Sequence, residues 1–323
     1  MIDFGAGTVA QKFKLSLRSG FEAARSKNPT LHFAIFFRVA IIYAAYRVIS
    51  RPIFSYGALD ASYMTYPRPY THFYPTLIYE IFSGAWIHRL WWPSVEFLSW
   101  LQLVILVFCL VALLGVFPRL ASFGVFIGLM YQTSLMQSTN SEVDGGTLLL
   151  FLLLWFSMQQ KSAVSPLWRN GASSNVSTTV ALTGSQAIVG AFYFYSGLNK
   201  LVDVGLLFPW KLSLQNLAEE RQFQILFDGS RFGVDWVLVI MGVEGFSVFG
   251  GLATLIAELA LLPALLFWRK LRAPAIITII LLHTLVLLAA GINFTGNSIL
   301  LLASMDMTRV TGLRRVKTSG VNH

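Results

Sequence analysis

Apolar segments recur along the 323 residues at intervals of roughly 35, and this repetition limits what the chain can become more than any motif does. A helix of about 20 apolar residues crosses the ~30 Å hydrocarbon core of a bilayer. Charged residues make up only 12% of the chain, about half the share of an ordinary soluble domain, and the mean hydropathy is +0.64. A soluble fold is excluded on that ground. The apolar runs are continuous, as from Leu148 to Phe156, and do not alternate residue by residue, which favours helices over a transmembrane barrel. The expected fold class is therefore all-α: a polytopic transmembrane helical bundle.

Eight spans are expected, at about 31 to 50, 97 to 117, 120 to 137, 145 to 159, 179 to 199, 247 to 268, 273 to 293 and 295 to 307. The fourth and eighth are short. Both start from a polar or glycine-containing stretch, Asp144-Gly145-Gly146 and Thr295-Gly296-Asn297, as half-spans entering a cavity would. Val234 to Met241 is a ninth apolar segment, read as a surface or re-entrant piece. The domain plan is a basic segment over 1–30, a transmembrane domain over 31–307 and a basic tail over 308–323.

Loop charges orient the bundle, because cytoplasmic loops hold the lysines and arginines. The amino-terminal segment, Arg119, Lys161 with Arg169, the Arg269-Lys270-Arg272 cluster and the carboxy-terminal tail carry 15 of the 24 basic residues. These groups alternate as eight spans require, so both termini are predicted to be cytoplasmic. The net charge of +9 thus reports membrane orientation, and nucleic acid is not an expected partner. No apolar core ending in a small-residue cleavage site occurs in the first 30 residues, so the amino terminus is expected to stay on the protein. Residues 10 to 27 interleave Phe13, Leu15, Leu17 and Phe21 with cations and could lie along the inner membrane surface. The expected location is the cytoplasmic (inner) membrane of a bacterium.

Two long connections, 51 to 96 and 200 to 246, fall on the opposite side. They are rich in aromatics: Tyr63, Tyr66, Tyr70, Phe73 and Tyr74 lie among prolines, followed by Trp86, Trp91 and Trp92. Such side chains settle at headgroup level, and long structured loops are commonly functional, so the outer face is where a site is expected.

Ionisable groups inside spans cost about 2.5 to 3.5 kcal/mol each on insertion scales and need a reason. Arg38 lies in the first span, Glu142 and Asp144 at the mouth of the fourth, Lys200 at the end of the fifth, Glu258 in the sixth and His283 in the seventh. Counting inward from the basic turn between the sixth and seventh spans puts Glu258 and His283 at similar depth, so the two can meet. They would then relay protons, orient a quinone or peptide group, or simply fix two helices to each other. Lys200 either snorkels to water or folds back under the aromatic loops as a general base. Cys109 is the one cysteine, so there is no intrachain disulfide, and the five histidines are scattered without metal-ligand spacing; no metal is expected.

The stretch Tyr193-Phe194-Tyr195-Ser196-Gly197-Leu198-Asn199-Lys200-Leu201, followed by Trp210, resembles the HTTM family, the membrane domain shared with vitamin K-dependent gamma-carboxylase. Leu31 to Val39 with Arg38, Asp144-Gly145-Gly146 before a leucine run, and Glu258-Leu-Ala-Leu-Leu-Pro263 followed by His283 resemble further parts of it, over about residues 30 to 307. The resemblance implies a lipid quinol as cofactor or substrate and Lys200 as the base that deprotonates it. Glu258 and His283 would support that chemistry, with Arg38, Glu142, Asp144, Tyr195 and Trp210 lining the cavity. The family's histidine near the start of the fourth span has no counterpart in Asn140-Ser141-Glu142-Val143-Asp144.

Three functions follow as expectations. The first is a carboxylase-like or quinol-dependent membrane enzyme acting at an outer-leaflet cavity. The second is a non-catalytic accessory protein for maturation or export of a secreted peptide, or a scaffold subunit, with that peptide or a membrane protein as partner beside the lipids. The third is a proton-coupled transporter built on the Glu258 and His283 pair.

Overall fold

The computed structural model describes residues 29–50, 94–138, 146–159, 175–205, 243–290 and 294–305. These form eight helices and no strand: α1 (Pro29–Ser50), α2 (Val95–Leu114), α3 (Pro118–Ser138), α4 (Gly146–Met158), α5 (Asn175–Val204), α6 (Glu244–Leu266), α7 (Arg269–Ala290) and α8 (Thr295–Ser304). The helices fall where the apolar runs do, because a continuous apolar run in hydrocarbon can satisfy its own backbone only as a helix. Four of them, within α1, α2, α6 and α7, are long and apolar enough to cross a membrane. Residues 1–28 of the amino-terminal segment, 51–93 and 206–242 of the two connections, the Val234–Met241 piece among them, and the tail lie outside the described residues, while the ends of both connections belong to the flanking helices.

Helix ends follow local chemistry. Ser94 caps α2, its hydroxyl accepting from Phe97 N at 3.2 Å. At the other end Gly115 adopts φ 72°, a left-handed conformation that glycine takes without a Cβ penalty. Pro118 then begins α3, where its missing N–H costs nothing. Thus α2 stops at Leu114, short of the expected 117. At the α6–α7 turn the basic cluster is not loop, as expected, but the first turn of α7. Arg272 is buried there and donates to the α6 carbonyls of Ala264 (3.1 Å) and Leu265, which no intrahelical N–H can reach.

α4 and α8 have 13 and 10 residues. At 1.5 Å per residue these are about 20 and 15 Å long, well below the bilayer core. The carboxy-terminal carbonyls of α8 are met from outside: His32 of α1 donates to Ala303 O at 3.2 Å and Gln186 of α5 to Ser304 O at 3.0 Å. α1 is central, packing against α2, α5, α8, α4 and α3. Its Phe33, Phe36 and Phe37 close around Phe156 of α4 with ring centres 5.8, 6.2 and 5.1 Å away, and all four rings are buried. Offset and edge contacts of this kind suit the ring quadrupoles.

Candidate functional site

The site begins with how closely α5 approaches α6. A Cβ at Gly190 would lie 2.8 Å from the backbone Cα of Leu262, and one at Gly197 would lie 3.1 Å from Leu259 and 3.2 Å from the Glu258 Cβ. Gly190 and Gly197 are seven residues apart, two helical turns, so they share a face; the first lets the two backbones nearly touch and the second leaves room for the Leu259 and Glu258 side chains. Lys200, one turn beyond Gly197, then faces Glu258.

Lys200 Nζ donates to both carboxylate oxygens of Glu258, at 2.5 and 2.6 Å. Ser196 Oγ stands 3.5 Å from Oε1, at the outer limit of a hydrogen bond. The lysine side chain is 21% exposed and the glutamate 6%, so the lysine folds back into the bundle instead of snorkelling to water. An ion pair this enclosed is a costly device unless both partners stay together, since removing one strands the other at about 3–5 kcal/mol.

His283 of α7 sits nearby but does not bond Glu258. Its Nδ1 shares a 3.0 Å hydrogen bond with Ser298 Oγ of α8, and its ring stacks on Phe294 at 4.8 Å and 21°. The expected Glu258–His283 pair is therefore replaced by two separate bonds, because the glycine face sets the register of α5 on α6 and brings a lysine to the carboxylate first. Tyr193 of α5 lies between the two: its ring centre is 5.8 Å from that of His283, and it is within electrostatic reach of Glu258, as His283 is of Lys200. Four helices thus contribute to one polar cluster, Lys200, Ser196 and Tyr193 from α5, Glu258 from α6, His283 from α7 and Ser298 from α8.

Other expected site residues lie elsewhere. Tyr195 is on the opposite face of α5, half exposed, and does not join the cluster. Arg38 is half-buried in α1, and its Nε has no hydrogen-bond partner among the described residues. Glu142, Asp144 and Trp210 lie outside the described residues. Among the described residues no three His, Cys, Asp or Glu side chains gather as metal ligands would, and Cys109 is a buried, free thiol in the core.

Two features escaped the sequence reading. Tyr193, Ser298 and Phe294 complete the cluster, and only Tyr193 carried a signal, as the residue seven before Lys200 in the quoted stretch. Arg47, near the end of α1, is buried with its guanidinium against the first residue of α4, where any side chain on Gly146 would collide with it. An arginine inside Ala44-Ala45-Tyr46-Arg47-Val48-Ile49 was the available sign. Tyr43, one turn earlier, closes on Gly296 of α8 in the same way. Both short helices thus begin against polar side chains of α1.

Compared with known proteins, the chain matches no family model, no curated protein and no solved structure.

Proposed function

We propose that this chain is an integral membrane enzyme of the HTTM type, acting on a lipid quinol with Lys200 as the base. The observation that carries the reading is the two-oxygen grip of Glu258 on the Lys200 ammonium inside a bundle of apolar helices. In water an ammonium and a carboxylate both stay charged. In a low-dielectric interior, transfer of one proton from Nζ to Glu258 cancels both charges, and the neutral amine that results is a base. Glu258 is then the proton's holding place and Lys200 the group that takes the next proton, from a hydroxyl of the substrate. The residues fit such a molecule: a base beside the flat rings of His283, Phe294 and Tyr193. The Glu258–His283 contact on which proton-coupled transport was founded is not formed.

Lys200→Arg tests the reading. Arginine keeps a positive charge against Glu258 but does not give up its proton in proteins. Protein extracted gently from its native membrane is expected to carry a near-stoichiometric quinone by mass spectrometry. The variant should fold and bind the quinone yet lose turnover at least 100-fold. Full turnover in the folded variant would sink the reading, and a bound polypeptide with no quinone would point to the accessory role.

The same proposal places all eight helices across or within a bacterial cytoplasmic membrane, with both termini inside. It rests on the distribution of basic residues in the connections. A phosphatase that works only outside the cytoplasm, fused after His323, should be inactive; an active fusion would reverse the topology.

A further inference from the structure

We propose that Tyr193 and His283 together hold the oxygen of a flat, uncharged, membrane-soluble head group, with the Tyr193 hydroxyl as donor. Tyr193 is 3% exposed, and its Oη has no hydrogen-bond partner among the described residues. Buried polar side-chain atoms are nearly always paired, so a buried phenol left open needs a partner that the helices do not supply. The ring cannot turn away to find one cheaply, because it is wedged edge-on against Phe192 at 5.5 Å and tilted against His283 at 5.8 Å.

His283 presents its second ring nitrogen: Nδ1 is taken by Ser298, which leaves Nε2 as the atom that can bond a ligand. One oxygen between the two rings meets the need of the phenol and can also bond the imidazole. If Ser298 accepts from Nδ1, then Nε2 is an acceptor and suits a hydroxyl; with the other tautomer Nε2 is a donor and suits a carbonyl. The adjacent Lys200 and Glu258 charges cancel, so nothing in the cluster calls for an ionised phosphate or carboxylate.

The assignment deepens the function proposed above, borrowing from it the choice of a quinone as probe, but the contact itself stands on the open Tyr193 hydroxyl and the imidazole beside it. The test uses the full chain in lipid nanodiscs, with a decyl-benzoquinone and with decylbenzene, which has the tail and the ring but no oxygen. The wild type should retain the quinone at least tenfold more tightly than decylbenzene. Tyr193→Phe, which keeps the ring and its packing, should erase that preference while leaving decylbenzene retention unchanged. It should also melt at or above the wild-type temperature without ligand, since it removes an unmet hydroxyl. Lys200→Arg should keep the preference. A preference that survives in Tyr193→Phe, or is absent from the wild type, overturns the assignment and leaves a buried water as the hydroxyl's partner. Discrimination without turnover in the wild type would keep the site and discard the base.

Discussion

The first four helices and the last four solve the same problem with different materials. α1 to α4 are joined by apolar packing, centred on Phe156 among three phenylalanines of α1. α5 to α8 are joined by close backbone approach and polar bonds: Gly190 on Leu262, Lys200 on Glu258, His283 on Ser298 and Arg272 on the last carbonyls of α6. In lipid, apolar contact between helices gains little over contact with acyl chains, so shape and hydrogen bonds decide association. The first half relies mainly on shape, and its polar contacts, Arg47 against Gly146 and Arg119 donating to Ser157 O, are single and scattered. The second half assembles an ion pair, an imidazole and a phenol at one place as the means of its own cohesion, and that is where a reaction can be housed.

The contrast can be broken at its strongest point first. Phe156→Ala should destabilise the bundle by about 3–5 kcal/mol, since three rings lose their common partner and a cavity remains. Reversible unfolding in mixed micelles measures it, and a cost below about 1 kcal/mol would mean that shape does not hold the first half. Next comes the glycine face. Gly190→Ala should cost about 1–3 kcal/mol, since the new Cβ meets the backbone Cα of Leu262, which cannot swing aside as a side chain can. Gly245→Ala in the first turn of α6 is the control: nothing among the described residues lies within 4 Å of its Cβ, and the change should be neutral or stabilising because alanine favours helix. Equal effects at the two positions would remove close approach as the cause. The smallest effect is expected for Ser298→Ala, which deletes one hydrogen bond to His283. Bonds of this kind average about 0.6 kcal/mol within membranes. A loss several times larger in the melting curve would show that α8 hangs on this contact.

The pieces of the site were visible one at a time. Lys200, Glu258 and His283 stood out because an ionisable side chain in an apolar run is conspicuous. Their pairing was not legible. Depth counted from the α6–α7 turn matched Glu258 with His283, and depth alone cannot say which neighbouring helix approaches more closely. Tyr195 and Tyr193 are two residues apart in the same motif, yet they point to opposite sides of α5, and only the face that carries Gly190 and Gly197 tells them apart.

By itself the sequence determined the helical class and nearly every helix position, because unbroken apolar runs leave the backbone one way to satisfy its own hydrogen bonds in hydrocarbon. It also marked the fourth and eighth apolar segments as short, and α4 and α8 have 13 and 10 residues. Partners were decided only in three dimensions. Whether Lys200 meets water or Glu258, whether Arg272 sits in a loop or closes α6, and whether His283 turns to α6 or to α8 depend on how the helices are set against one another. For α5 on α6 that register is set where Gly190 lets two backbones touch.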